Sequence, residues 1–256
     1  ERIIDEVREL VADGFREITL LGQNVNSYGK DLGTGYDFAD LLTDLDKIEG
    51  DYLLRFMSSQ PKDATYKLFD VMAGCRHVAK QLHLPVQSGC DRVLRAMNRP
   101  YDVAKYLDLI TYARRVMPDL VLTSDVIIGF PGETESEAME TVALVEKVRF
   151  DALFTFIFSP RPGTPAADMP GQLGNAVKEQ RSRAAIAAAA EMSADFRRAL
   201  IGTRQAVLVE GMEGKFSVGH APNYVKVYIP GQCPRNEIQT VTVTALHQDG
   251  VTAERN

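Results

Sequence analysis

Apolar positions along this chain follow two different periods, and the change of period divides it into two parts. Apolar Ile3, Ile4, Val7, Leu10 and Val11 share one face of a helix over 1–13, which Gly14 ends. Short apolar runs of strand length follow at 16–21, 52–57, 81–86, 119–128 and 151–158. Between and after them, helical periodicity predicts helices over 38–48, 64–73, 91–97, 103–116, 135–149 and 177–200. Such βα alternation predicts a parallel sheet with right-handed crossovers. Each strand runs into a polar, Gly-rich or Pro-rich cluster, on the face where a β/α barrel carries its chemistry. An open doubly wound sheet would gather its ligand at one switch point, so clusters after every strand fit a barrel better. Beyond Gly202 the pattern becomes alternating, with β-rich segments at 204–209, 224–229 and 238–246 separated by glycines and prolines. These predict a small all-β, OB-like barrel, and hence domains at 1–201 and 202–256.

Charge narrows the choice of partners. The 256 residues carry a net charge of −6, with 45% hydrophobic and 25% charged residues, the profile of an ordinary globular protein. That charge gives no general pull toward nucleic acid, so any RNA contact must be local. From Thr203 onward, five Lys and Arg balance five Asp and Glu. Phe216, Tyr224 and Tyr228 are either base-stacking residues or core. No apolar run is long enough to span a membrane. The first ten residues read as a charged amphipathic helix rather than a signal peptide, so a cytoplasmic protein with no membrane partner is expected. The helix at Glu1 has no cap before it, so further sequence is expected upstream. Cys75, Cys90 and Cys233 show neither CxxC nor CxxxCxxC spacing and read as free thiols rather than metal ligands.

The stretch 124–134, SDVIIGFPGET, reads as strand, glycine turn and helix start. Gly129 lets a ligand lie against the backbone where a Cβ would block it. The reading is either an ordinary tight βα turn or a nucleotide-like ligand site at the carboxyl end of a barrel strand. The cluster at 22–29, GQNVNSYG, is likewise either a plain loop or a site for a polar ligand.

Taken in order, LLGQNVNSYG at 20–29, SSQPKD at 58–63, LHLPVQSG at 82–89, SDVIIGFPGET at 124–134 and FSPRPGTPAA at 158–167 resemble the radical S-adenosylmethionine methylthiotransferases. The resemblance is to the MiaB type, which acts on tRNA, and it covers nearly the whole chain. The C-terminal part resembles that family's TRAM domain, an RNA-binding module, more loosely. GQNVN and Arg161 favour the tRNA type over the RimO type, which modifies a ribosomal protein. Gln60 departs from the family, where a His is usual.

The resemblance implies a truncated (β/α) radical-SAM, TIM-like barrel followed by a TRAM barrel. It also implies a transferase that uses S-adenosylmethionine and two [4Fe-4S] clusters to insert sulfur and methyl at C2 of N6-isopentenyladenosine, in a tRNA anticodon stem-loop. The cluster-binding CxxxCxxC is absent from this sequence, so the chain alone is expected to be inactive and to hold no metal and no catalytic residue of its own. Three readings stand open: the tRNA enzyme, the same chemistry on a ribosomal protein, or a cluster-free barrel that only binds RNA or a partner. By position, Gly129 would receive the adenosine of S-adenosylmethionine, with Ile128 and Phe130 as apolar walls. Gln87 and Ser88 would bond its ribose or methionine end, and Arg161 its carboxylate or an RNA phosphate. Gln23, Asn24 and Asn26 would read the target adenine, and Ser124 and Asp125 would brace the rim. Gln23, Gln87, Gly129 and Arg161 are expected to line one cavity.

Overall fold

The computed structural model describes residues 2–255; Glu1, the start of the first expected helix, and Asn256 lie outside the described residues. Helix α1 (Arg2–Ala12) buries Val7 and leads into strand β1 (Glu17–Leu20). The strands β2 (Leu53–Phe56), β3 (Gln81–His83), β4 (Val121–Ile128) and β5 (Ala152–Ile157) follow. β1 pairs with β2, and β3 with β4 with β5, all parallel. An isolated parallel bridge, Leu54 to Val78, joins the two sheets just ahead of β3, giving a continuous order of β1 to β5. The helices between them are α2 (Phe38–Leu45), α3 (Tyr66–Gly74), α4 (Asp91–Ala96), α5 (Val103–Val116) and α6 (Glu135–Val148). The short α7 (Pro165–Asp168) and the long α8 (Asn175–Ala199) follow β5. Two starts are fixed by capping boxes, Asp37 with Asp40 for α2 and Thr134 with Glu137 for α6.

Parallel neighbours point their side chains the same way, so the pleat sorts the sheet into two faces. Ile18, Leu54, Leu82, Leu122 and Val126 enter the main core with Leu42, Phe69, Tyr106 and Val145 from the helices. The alternate residues, Thr19, Arg55, Gln81, His83, Thr123, Asp125, Phe154 and Phe156, form the inner face of an open half-barrel. The third expected strand is shorter than its apolar run. Leu84 N still donates to Thr123 O, but Pro85 has no N–H to give the ladder, so 85 and 86 leave it, and Gln87 rejoins beside Val126 by donating to Asp125 O and accepting from Ile127 N.

The C-terminal part is a closed five-stranded barrel in the order β10-β8-β7-β6-β9. Its strands are β6 (Arg204–Glu213), β7 (Phe216–His220), β8 (Lys226–Pro230), β9 (Ile238–His247) and β10 (Gly250–Arg255). Val207, Val209, Val227, Ile229, Val241, Val243 and Val251 fill it. Sequence pattern predicts only three of these strands. β7 is masked by Gly219, whose Cβ position is occupied by the Leu208 carbonyl oxygen at 1.8 Å, so glycine is required where the two strands cross closely. β10 is short and carries polar residues at alternate positions.

Two buried contacts join the two parts. Phe196 and Leu200 at the end of α8 pack onto the small barrel's core. Arg55, only 3% exposed, reaches from the inner face to the loop after β7 and donates to the carbonyls of Ala221 (3.0 Å) and Pro222 (2.9 Å). Its Nε lies 3.0 Å from Glu17 Oε1, an ion pair rather than an aligned hydrogen bond, and its guanidinium sits 4.8 Å from the centre of the Tyr224 ring. Among the described residues no helix is long and apolar enough to cross a membrane. Arg55→Met is expected to lower stability by about 3–5 kcal/mol, because it strands Glu17 and two buried carbonyls together. Urea unfolding followed by circular dichroism measures this, and a shift well below that range would mean the contact is dispensable.

Candidate functional site

The loops beyond the strands' C-terminal ends are bonded to one another before they can meet any ligand. After β1, Asn26 is 5% exposed and its amide is fully used: Nδ2 donates to Gln60 O at 3.0 Å, and Oδ1 accepts from Gln60 N at 3.0 Å. Asn26 therefore staples the first loop to the second and does not face a ligand. Val25 N donates to Ser58 O in the same seam. Asn24 donates to Asp63, which also pairs with Lys30. Burial pushes the Asp63 carboxyl up, but the hydrogen bonds from Lys30 and Asn24 outweigh it and hold the group below its ordinary range. Asn24 Oδ1 is left buried with no hydrogen-bond partner, and Gln23 is exposed at the loop tip.

Along the rim, three left-handed residues stand at successive strand ends: Ser58 (φ 63), Gln87 (φ 72) and Gly129 (φ 82). For Ser58 and Gln87 this conformation is costly, and such residues concentrate at binding sites. Ser88 is fully buried, with its hydroxyl 3.3 Å from Thr141 Oγ1 and accepting from Cys90 N. It anchors α6 and turns its side chain away from the inner face. Ser124 likewise accepts from Val86 N and donates to Leu84 O, bracing the rim.

The glycine turn is occupied from behind. A Cβ on Gly129 would fall 2.5 Å from Lys178 Cγ, so the space expected to receive adenosine is taken by this α8 side chain. Lys178 is itself 3% exposed, donating Nζ to Phe158 O at 2.9 Å. Gly129 N donates to Glu133 Oε1 at 2.9 Å, Arg181 lies 3.6 Å from the same carboxylate, and burial raises the Glu133 pKa. Ile128 packs between Val142 and Ala185, and Phe130 among Cys90, Val93 and the edge of Phe158. Both lie behind the rim. The pleat puts Ile127 and Asp125 on the inner face in their place, opposite Phe156 and Phe154.

That inner face holds what sequence reading missed. His83 Nδ1 lies 2.9 Å from Thr123 Oγ1, its Nε2 lies 3.6 Å from Asp125 Oδ1, and its ring meets Phe154 edge-on at 6.2 Å. Phe154 and Phe156 are 53% and 52% exposed. The missed signal was parity: counting by twos from core Leu122 sends Ile128 outward and Ile127 inward. Arg161 is exposed beyond β5, its side chain without a hydrogen bond or ion pair among the described residues. The two clefts nearest the first loop and the inner face do not unite Gln23, Gln87, Gly129 and Arg161. One of about 740 Å³ lies between α1 and the 22–32 loop, and one of about 370 Å³ between the inner face and the small barrel.

The described cysteines lie in three separate places, and no group of three or more His, Cys, Asp or Glu among the described residues suits a metal ion. Burial pushes the Cys75 thiol up to about 11 and raises that of Cys90, the wrong direction for thiolate ligands. These residues do not fit an iron–sulfur cluster.

A half-barrel of parallel βα units with polar, locally strained strand ends is the framework of a ligand-binding α/β enzyme domain. The model of the Radical SAM superfamily matches residues 1–145, and the chain belongs to that superfamily. Solved structures agree at the level of fold. Coproporphyrinogen III oxidase (HemN) from Escherichia coli, a radical SAM enzyme, superposes with TM-score 0.56 at 17% identity, covering 75% of this chain and 45% of that one. The radical S-adenosylmethionine methyltransferase TsrM from Kitasatospora setae gives 0.52 at 16%, covering 64% and 32%. Among curated proteins, the tRNA-2-methylthio-N(6)-dimethylallyladenosine synthase of Pelotomaculum thermopropionicum is 44% identical over 85% of this chain and 48% of its own length. The protein of that name from Clostridium botulinum (strain Loch Maree) is 46% identical over 82% and 47%. The chain thus spans about half the length of these relatives.

Gly129→Val is expected to act on the fold first, by straining a left-handed position and displacing Lys178. We expect a loss of about 1–3 kcal/mol in denaturant unfolding. An unchanged midpoint would show that Lys178 swings aside freely.

Proposed function

We propose that this chain is the barrel and RNA-binding part of a cytoplasmic tRNA methylthiotransferase. Its target is C2 of N6-isopentenyladenosine (dimethylallyladenosine) in the anticodon stem-loop. The observation that carries this reading is the identity of 44% and 46% to synthases of that modification, spread over 85% and 82% of the chain. We assign residues 1–201 to the radical SAM barrel and 202–256 to a TRAM domain; the closed five-stranded barrel supports the second assignment.

S-adenosylmethionine would lie along the inner rim, against Gln87, Asp125 and Ile127, with Ser88, Ile128, Gly129 and Phe130 shaping that rim from behind. Gln23 is the exposed amide of the first loop able to meet the substrate base, while Asn24 and Asn26 set the loop's position. Both [4Fe-4S] clusters belong to other parts of the whole enzyme. What this chain contributes is position: it holds the sulfonium cofactor and the base on one rigid face and keeps bulk water from them with apolar side chains.

A chimera tests this reading. Replacing the matching half of the Clostridium botulinum relative with this chain should give an iron-loaded protein that forms 2-methylthio nucleoside in tRNA, read by mass spectrometry of digested tRNA. A folded, iron-loaded chimera that leaves tRNA unmodified would refute the proposal.

Arg161 is exposed and free, so we assign it to an RNA phosphate rather than to the cofactor carboxylate. Arg161→Ala should weaken stem-loop binding and lower the slope of log affinity against log salt by about one unit. If it weakens S-adenosylmethionine binding and leaves that slope alone, the carboxylate assignment is the right one.

A further inference from the structure

We infer that Lys178 and Arg181 of α8 are positioning residues: with Glu133 they tie the ends of β4 and β5 together, and so set the rim on which S-adenosylmethionine is proposed to lie. The inference rests on that cofactor reading for its purpose and on the contacts behind the rim for its geometry. Lys178 is 3% exposed, and its Nζ donates to Phe158 O at 2.9 Å, one residue past β5, while lying 5.3 Å from the centre of that ring. Its stem fills the space behind left-handed Gly129. Arg181 stands three residues further along α8 and so on the same face. It donates to Glu133 O and approaches Glu133 Oε1 at 3.6 Å, and that oxygen accepts from Gly129 N at 2.9 Å.

Packing alone does not call for these charges. The other buried positions of α8 are Ser182, Ala185, Ala189 and Met192, all small or apolar. A methionine at 178 would fill the same slot with an apolar stem. Charges taken out of water are in general no more stabilising than apolar residues of similar volume, so stability does not explain them here. What these side chains have is direction: their polar contacts end at Gly129, Glu133 and Phe158. The same strand ends belong to the ladder, since Phe158 N donates to Ile128 O and Ile127 N donates to Gln87 O. A shift of the Gly129 turn is therefore passed to Ile127 and Gln87, the rim residues assigned to the ligand. α8 is anchored apart from any ligand, because Phe196 and Leu200 at its far end pack on the small barrel.

Two measurements on the 256-residue chain test this. Hydrogen exchange of the Gly129 amide is followed by NMR without ligand, with the β2 amide of Leu54 as the reference, and S-adenosylmethionine is titrated by calorimetry. Lys178→Met keeps the stem and removes the donor, Glu133→Leu removes the acceptor, and Glu133→Gln keeps an oxygen for Gly129 N. With a wild-type circular dichroism spectrum, Lys178→Met and Glu133→Leu should each speed Gly129 exchange by about tenfold or more while Leu54 keeps its rate. Each should also weaken S-adenosylmethionine binding by roughly 5- to 50-fold, and Glu133→Gln should restore both readouts. A general loss of stability would instead speed both amides together and leave the affinity of the folded protein unchanged, which would overturn the inference. So would folded variants that match the wild type in Gly129 exchange and in affinity. A wild type that binds no S-adenosylmethionine counts against the cofactor reading, and the exchange of Gly129 relative to Leu54 then decides for or against the clamp.

Discussion

Everything functional in this chain depends on the pleat of its parallel sheet. A strand between two layers has two faces and a side-chain period of two. Once Leu122 and Val126 are committed to the helix layer, Thr123, Asp125 and Ile127 must face the opposite side. Parallel pairing carries this choice across the sheet: Gln81 and His83 share the face of Val121 and Thr123, and Ala152, Phe154 and Phe156 share that of Thr123, Asp125 and Ile127. A slip of one residue would bury the polar set and expose the leucines, so the core fixes the site as firmly as it fixes the fold.

The strand ends add strain to that frame. Ser58, Gln87 and Gly129 all take left-handed backbone, yet only one is the residue that adopts it freely. What holds Gln87 there is the ladder it re-enters, donating to Asp125 and accepting from Ile127 after Pro85 has forced the chain out. Gly129 is held by its bond to Glu133, whose carboxylate is itself shielded by Arg181 and the turn. The rim is thus set by hydrogen bonds within the protein, the condition for a preorganised binding surface.

Legibility followed the same physics. The βα order, the helix starts at Phe38 and Val103 and the small barrel were readable because core periodicity and Asp or Thr caps are local signals. The strand ends were located correctly, but the direction of single side chains was not. Ser88, Asn26 and Ile128 are polar or apolar neighbours of a turn, and only the structure shows their groups spent on Thr141, Gln60 and Val142. Lys178 was unreadable in principle, since nothing near Gly129 in sequence announces a lysine from α8 lying across it. Two strands of the small barrel escaped because their alternation is broken by glycine or runs polar at the end of the chain.

Arg55 shows how the two barrels act as one surface. An isolated guanidinium on the inner face would be costly to bury, and Glu17 alone sits in the same partly desolvated place. The second barrel completes the arrangement with two carbonyls and the face of Tyr224. The small barrel therefore meets the half-barrel both through the end of α8 and through the face that carries His83 and Phe154. The inner face then has one wall from each part, and a displacement of the small barrel would be felt directly there through the buried Arg55. That coupling needs no long-range pathway, because Arg55 touches both parts at once.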